Sequence, residues 1–357
     1  MKKLLLLTAL WVTTSEAQPM HFEAIRNGGN CDGCAFVQAS GEITLQTAKE
    51  FETFARSQEF GAGLVRLNSP GGSLVGGIIL GEAFRSMGVV TEVGSSAPIP
   101  NSTSPGLADR SPGVCASACA YAFLGGKERS LDDGAKLGFH RFYRENALAE
   151  PTAKLFTGKD LGDAQITTAA LVLYILKMGV DPKLISLASE AGPDEMRWIS
   201  KEEAQRLRIT YEPWAYKPWR IDAYHGGAVA IAESNDGLKS IVVSCSKQLG
   251  PNVAIINSKP SWDVASWFEQ CRTTELPGGH PVFGTLVSVN RIRVIHRKDG
   301  AVLMRFHLPT YDPPLTSTSL LSSQLGYPRV CSSYEYQASS ENFVPSVRLA
   351  VRNCFQD

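Results

Sequence analysis

The apolar positions along residues 35–210 switch between two patterns: short apolar runs typical of buried strands, and longer segments with helical spacing. Turns that contain glycine or proline separate these segments. The predicted elements, in chain order, are two short strands within residues 35–45, a helix at 47–57, a strand at 63–68, a helix at 73–87, a strand at 89–93, a helix that contains Ser117, a strand at 136–139, and helices at 163–178, at 182–190 and from Ser200. Repeated strand–helix units predict an α/β architecture with parallel strands.

The helical spacing fades from about residue 226, where short apolar runs alternate with turn residues. The runs are AVAIA, SIVVSC, NVAII, GTLVSV, AVLMRFHL and SVRLAVRNC. They predict a second, smaller, mostly-β domain over residues 226–357, built as a sandwich or barrel. The aromatic, proline-rich stretch YEPWAYKPW marks the change, so we place the first domain at 18–215 and a linker at 216–225.

The N-terminus has the organisation of an export signal. Two lysines precede the apolar run LLLLTALWV, and the small residues of SEA end at position 17. This run is far shorter than the roughly 20 apolar residues that span a bilayer. We therefore predict a cleaved signal peptide at residues 1–17 and a periplasmic or secreted protein.

Export changes the interpretation of the eight cysteines, because an even number in an oxidising compartment favours disulfides. Pairing of neighbours in the sequence predicts Cys31–Cys34, Cys115–Cys119, Cys245–Cys271 and Cys331–Cys354. The last two pairs would each close a short loop and stabilise a small domain by roughly 3 kcal/mol.

Charge and histidine spacing exclude several classes of partner. Lys and Arg together number 35, as do Asp and Glu, so no net charge attracts nucleic acid. The six histidines show no paired spacing typical of zinc ligands. We expect no nucleic-acid partner, no metal and no cofactor.

Three short motifs of the first domain carry candidate chemistry. The turn SPGG at 69–72 lies between a predicted strand and a helix, and its paired glycines let backbone N–H groups approach a ligand, as an oxyanion hole requires. Ser117 lies in GVCASACAYAFLGG, where small neighbours leave room for an acyl group and the N–H of Ala118 is a second oxyanion donor. The alternative is a serine on the packing face of a buried helix.

The third motif is His140 at the end of a predicted strand. Histidine is the usual base for a serine hydroxyl at neutral pH. The segment 94–113, rich in Ser, Pro and Gly, is predicted to be a mobile loop and a candidate flap over the site.

Together these motifs resemble the Clp protease proteolytic subunit of the ClpP/crotonase superfamily, and most closely its exported bacterial relatives. The likeness covers roughly residues 35–210 and rests on LVRLNSPGGSLVGGIILGEAF, CASACAYAFLGGKERSLDDGAKLGFH and MRWISKEEAQRLRI. It implies a β-β-α superhelical fold, with Ser117 as nucleophile and His140 as base. It also implies oxyanion donors at Gly72, or Gly71, and at Ala118.

The third member of the family's triad is where this chain departs from the pattern. The family has an Asp four residues before the serine that opens the S-x-x-E-A helix, and Met196 stands there. Asp194 or Glu195 takes the role if the alignment shifts by one or two residues. A Ser-Lys dyad, as in the signal peptide peptidase branch, is a further alternative with Lys159 or Lys154 as base.

These observations predict an exported serine hydrolase, an ATP-independent peptidase with a Ser-His-(Asp/Glu) site, acting on peptides or proteins. Exported compartments lack ATP, so no ATPase unfoldase partner is expected. The resemblance implies a homo-oligomer, and the partner of the C-terminal domain stays unknown. The alternative is a catalytically weak or silent binding or scaffold protein of the periplasm, which Met196 favours. A crotonase-like acyl-CoA enzyme fits poorly, because coenzyme A is cytosolic and the Ser-His pair would be idle.

Overall fold

The computed structural model describes most of the chain and has a mixed α/β fold with several sheets. The described residues are 18–27, 35–57, 63–99, 107–142, 158–192, 194–274, 278–321 and 336–355. The predicted signal peptide and the predicted Cys31–Cys34 pair lie outside them. The chain divides into two compact units, Met1–Tyr211 and Glu212–Asp357.

The first unit combines short strands with helices of one to six turns. Its strands are β1 (His21–Arg26), β2 (Ala35–Ser40), β3 (Leu64–Asn68), β4 (Val90–Val93), β5 (Ser95–Pro98), β6 (Ala108–Ser111), β7 (Val114–Ala116), β8 (Glu128–Leu131), β9 (Lys136–Phe139) and β10 (Arg197–Trp198). Its helices are α1 (Thr47–Ser57), α2 (Leu74–Ser86), α3 (Ala118–Phe123), α4 (Gly158–Lys177), α5 (Lys183–Glu190) and α6 (Lys201–Arg206).

Two sheets of this unit organise its core. In the five-stranded sheet, of order β1-β2-β3-β4-β8, all neighbours are parallel except β1 and β2. In the three-stranded sheet, of order β10-β9-β7, β7 and β9 are parallel and β10 is antiparallel to β9. Apolar side chains from both sheets and from α1 to α6 form one continuous core.

Several helix boundaries follow from end signals in the sequence. Ser73 caps α2 by accepting a hydrogen bond from Gly76 N–H at 3.2 Å, and Gly88, just beyond the helix, has a φ of 66°. Ser200 and Glu203 form the predicted capping box at the start of α6. The predicted start and end of α2 and the predicted start of α6 are therefore confirmed.

Two predictions for the first unit were wrong in detail. The described parts of the predicted loop 94–113 include β5 and β6, which pair with each other antiparallel. Their sequences, SSAP and ADRS, have little apolar content, so no strand pattern is visible in them. The second strand predicted within residues 35–45 is reduced to isolated bridges at Glu42 and Ile43.

The buried Arg129 and the half-buried Arg85 hold the chain just after α3, the helix that follows Ser117. Arg129 donates to Gly126 O at 2.9 Å and to Ile209 O at 2.7 Å, and Arg85 donates to Gly126 O at 2.9 Å. Cations are favoured at carbonyl groups that end a helix. Burial lowers the pKa of Arg129 to about 9, so the backbone carbonyls compensate the buried charge only partly.

The second unit is strand-rich and also contains two helices. Its elements are β11 (Arg220–Tyr224), β12 (Gly227–Glu233), β13 (Lys239–Ser246), β14 (Gly250–Asn257), α7 (Trp262–Thr273), β15 (His280–Val282), β16 (Thr285–Val287), β17 (Ile292–His296), β18 (Val302–His307), β19 (Ser319–Leu320), β20 (Tyr336–Gln337) and α8 (Phe343–Arg352). An antiparallel six-stranded sheet has the order β11-β12-β13-β14-β18-β17, and a four-stranded sheet has the order β16-β15-β19-β20. Residues 220–224, within the predicted linker, form the first strand of the larger sheet.

The segment SVRLAVRNC, predicted to be a strand, is mostly the helix α8. Its buried residues recur at helical spacing of three and four positions. They are Phe343, Ser346, Val347, Ala350 and Val351. The two helices and the second sheet join the larger sheet in one core, so the second domain is not a plain β-sandwich or barrel.

The disulfides differ in part from the predicted pairs. Cys115–Cys119 is confirmed. Cys245 bonds to Cys354, so the predicted pairs Cys245–Cys271 and Cys331–Cys354 are wrong. The reason is tertiary: the chain after α8 returns to β13, where Phe355 N–H donates to Cys245 O at 2.8 Å. The disulfides are typical of an oxidising compartment. No helix within the described residues is long and apolar enough to cross a membrane.

Candidate active site

Ser117 occupies a sharp turn between β7 and α3. Its φ of 57° and ψ of −123° are unusual for a residue with a side chain and cost about 1–3 kcal/mol. Two hydrogen bonds hold the turn: Ser117 N–H donates to Gly138 O at 2.9 Å, and Ala120 N–H donates to Ser117 O at 3.0 Å. Ser117 is half-buried, whereas Ala118 is buried. A serine that only packed on a helix face would not need this strained backbone.

The Cys115–Cys119 disulfide spans this turn. Its two Cα atoms lie 5.2 Å apart, and both cysteines are buried. The bond closes a small ring with Ser117 at its centre. The ring restrains the turn covalently and helps to hold the strained conformation of Ser117.

The SPGG turn lies directly against Ser117. Gly71 has a φ of 112°, and a Cβ atom added there would lie 2.8 Å from Ser117 Cβ and 3.2 Å from Ala118 N. Ala116 N–H donates to Ser69 O at 3.1 Å, which fixes the two segments together. Glycine is therefore required at position 71, both for its backbone conformation and for this close approach.

The backbone donors of the predicted oxyanion hole differ in availability. Gly71 N–H donates to Ser69 Oγ at 3.1 Å. Within the described part of the chain, the N–H groups of Gly72 and Ala118 have no hydrogen-bond acceptor. Of the two glycines, Gly72 thus has the N–H that is available to a ligand.

His140 lies at the same end of the three-stranded sheet as Ser117. The parallel register pairs Ala116 with Gly138, and strands in such a sheet are about 4.8 Å apart. His140 is half-buried, and its Nδ1 lies 2.7 Å from Arg141 O. The tautomer that fits this contact donates Nδ1–H to the carbonyl, so that Nε2 is the basic nitrogen.

The strand register puts a methionine, and not a carboxylate, opposite the imidazole. The antiparallel register pairs Arg197 with Phe139, so its continuation by one residue puts Met196 opposite His140. The Met196 side chain packs on Gly138, where an added Cβ atom would lie 2.5 Å from Met196 Cγ.

The two alternative carboxylates lie in the turn before β10. Glu195 Oε2 accepts a hydrogen bond from Gly192 N–H at 3.2 Å, and Asp194 is exposed. Within the described residues, no hydrogen bond or ion pair joins either side chain to His140. Sequence reasoning missed the acceptor that does contact His140, because a backbone carbonyl leaves no signal in the sequence.

Of the two lysines of the alternative dyad, the structure describes one. Lys159 is exposed in the first turn of α4, and Lys154 lies outside the described residues.

A cavity of about 180 Å³ lies beside His140. Its lining residues are Tyr121, His140, Arg141, Phe142, Thr168, Leu171, Ile185, Ala188 and Ser189, and Ser117 is not among them. Burial raises the pKa of Tyr121, so its hydroxyl stays neutral and is no candidate base. A larger open groove of about 520 Å³ follows α1 and contains none of the candidate catalytic residues.

Comparison with known proteins gives a weak structural likeness. No protein-family model matches the chain, and no curated protein matches it. Among solved structures, it is similar to a mutant of the membrane-bound stomatin-specific protease 1510-N, with a TM-score of 0.31 and 18% identity over 48% of this chain and 75% of that chain. This similarity is too low to support a fold or an activity.

Proposed function

We propose that this protein is an exported serine hydrolase, an ATP-independent peptidase with a ClpP-like catalytic domain, in which Ser117 is the nucleophile and His140 the base. The observation that carries the proposal is the strained turn at Ser117, at the end of β7, beside the strand that ends at His140. The order of strands and helices, with parallel strands in two sheets, supports a β-β-α superhelix. The disulfides support a periplasmic or secreted location.

The reaction follows from the geometry at Ser117. The hydroxyl attacks the substrate carbonyl while its proton moves to Nε2 of His140. The N–H groups of Gly72 and Ala118 stabilise the oxyanion that forms, and one such donor is typically worth about 3–4 kcal/mol of barrier. The imidazolium then protonates the leaving amine, and a water molecule hydrolyses the acyl-enzyme by the same route.

Within the described residues, a backbone carbonyl orients His140 in this site. Arg141 O holds Nδ1–H of His140 at 2.7 Å, which fixes the orientation and tautomer of the ring. A neutral carbonyl stabilises the imidazolium less than a carboxylate does.

The cavity beside His140 indicates the substrate class. Its walls are mainly apolar, and a volume of about 180 Å³ holds one apolar side chain. Peptides or flexible protein segments that present such a side chain next to the cleaved bond fit this site. Assembly into a homo-oligomer and function without an ATPase unfoldase are parts of the same proposal.

The second candidate is a catalytically silent binding or scaffold protein. The observation that favours it is Met196, the apolar residue opposite His140. Retention of the strained Ser117 turn argues against it, because a silent protein gains nothing from that conformation.

Labelling by a fluorophosphonate separates the two candidates. The disulfide-intact wild-type protein is expected to bind the probe covalently, the S117A variant not at all, and the H140A variant far more slowly. Ser86→Ala and His21→Ala are matched controls that remove the same side chains elsewhere in the first unit, and they should label like wild type. No labelling of the wild type, or equal labelling of S117A, would show that the proposal is wrong.

A further inference from the structure

A cluster of basic side chains lies at the edge of the six-stranded sheet in the second unit. Arg293 of β17 stands directly opposite Arg305 of β18 in the antiparallel register. His307 follows Arg305 by two positions in the same strand, so both side chains project to the same side of the sheet, and Arg291 ends the short 3₁₀ turn just before β17. Burial is the main cause of the lowered pKa of His307. The charges of the three arginines lower it further, so the four groups are close.

The described part of the chain shows no carboxylate paired with the arginines of this cluster. Within the described residues, Arg291, Arg293 and Arg305 form no ion pair with a carboxylate. Arg293 Nη1 donates to Asn290 O at 3.0 Å and to Ile292 O at 2.9 Å, and Arg291 Nη1 donates to Leu308 O at 3.4 Å. Three exposed arginines elsewhere in this unit do have acidic partners. These pairs are Arg220–Asp222, Arg272–Glu269 and Arg297–Asp299.

The cluster is costly in the free protein. Like charges directly opposite each other in a sheet are destabilising. In addition, Arg305 Nε is buried and has no hydrogen-bond partner within the described chain. An arrangement that opposes folding in two ways, and that the fold does not neutralise, is typical of a site completed by a ligand.

We infer that Arg293, Arg305, Arg291 and His307 bind a phosphate-type oxyanion, either as free phosphate or as the phosphate of an anionic lipid headgroup. Guanidinium groups present parallel N–H donors that match the oxygens of such an anion, and charge-assisted bonds of this kind are about twice as strong as neutral ones. Three guanidinium groups supply N–H donors to several oxygens at once, which favours a phosphate group over a carboxylate. This site is independent of the proposed hydrolase activity.

The test is titration calorimetry of the mature, full-length protein with inorganic phosphate at low ionic strength. Arg293→Gln and Arg305→Gln should each weaken binding about tenfold or more, because each removes charge-assisted hydrogen bonds. Arg297→Gln is the matched control, since it removes an exposed arginine that already pairs with Asp299. This control should bind phosphate like wild type.

A thermal readout distinguishes a ligand site from a structural role. Without ligand, R293Q should unfold at the same or a higher temperature than wild type, because the repulsion with Arg305 is gone. Phosphate should raise the unfolding temperature of wild type and R297Q but not that of R293Q.

Vesicles separate the two sources of the anion. A lipid headgroup is indicated if the wild type co-sediments with phosphatidylglycerol vesicles but not with phosphatidylcholine vesicles, and if R305Q no longer co-sediments with either. Calorimetric binding of phosphate alone indicates the free ion. The inference is wrong if the wild type binds neither probe, or if R297Q weakens binding as much as R293Q does.

Discussion

Replacement of Met196 by aspartate tests whether position 196 lies beside the imidazole of His140. The register of β9 and β10 puts position 196 opposite His140, and side chains in directly opposed positions have Cβ atoms about 4.5–5.5 Å apart. A carboxylate at this position therefore reaches the imidazole. We expect Met196→Asp to raise the rate at which Ser117 reacts.

The expected gain follows from what the wild type already has. Arg141 O orients the ring, so the aspartate adds charge rather than orientation. A hydrogen bond to a charged group is worth about 1 kcal/mol more than a neutral one, which corresponds to roughly five- to tenfold in rate. The same substitution removes the packing of Met196 on Gly138, and loss of this half-buried side chain should cost about 1–2 kcal/mol of stability.

The assay is the second-order rate of fluorophosphonate labelling at pH 8, measured on folded protein of each variant. Met196→Asn has nearly the same shape as the aspartate variant without its charge, and Met196→Leu keeps the apolar packing. Both should label at about the wild-type rate. If M196D labels no faster than M196N, the placement of position 196 beside the imidazole is wrong.

Three further predictions concern single contacts. Gly71→Ala should abolish labelling, because its Cβ would lie 2.8 Å from Ser117 Cβ. Gly179 is also at positive φ, but an added Cβ there would meet no atom within 4 Å. Gly179→Ala should therefore lose stability and still be labelled. Burial holds the pKa of His280 below its usual value. The contribution of this residue to stability is therefore present above about pH 6.5 and is lost as the pH falls. His280→Gln should make the drop in unfolding temperature between pH 7 and pH 5 smaller. Joint replacement of Cys245 and Cys354 by serine opens a long loop of the second unit and should cost about 4–5 kcal/mol in denaturant unfolding. The last prediction would be contradicted if, under oxidising conditions, the double-serine variant had the same free energy of unfolding as the wild type.

The elements that the sequence predicted well are those whose signals are local. The helix α2 has its serine cap and its closing glycine within the sequence itself, and α6 has its capping box. Ser117, SPGG and His140 could be considered together because their order along the chain resembles that of a known family, and the strands that end beside Ser117 and His140 are neighbours in the structure.

The missed features depend on contacts between distant parts of the chain. The pattern of SVRLAVRNC gave no sign of a helix that buries Phe343 and Val347, because apolar and basic residues follow each other closely within this short stretch. Cys354 meets Cys245 only because the chain after α8 lies beside β13. The contact between Arg141 O and His140 depends on a backbone angle that no residue type specifies.

The most direct test of the central claim is a crystal structure of the protein after reaction with a fluorophosphonate. The account predicts phosphorus bonded to Ser117 Oγ and a phosphoryl oxygen about 2.7–3.1 Å from the N–H groups of Gly72 and Ala118. It also predicts His140 Nε2 within hydrogen-bond reach of the adduct and Nδ1 still bonded to Arg141 O. An adduct on another residue, or a phosphoryl oxygen that points away from both N–H groups, would contradict it.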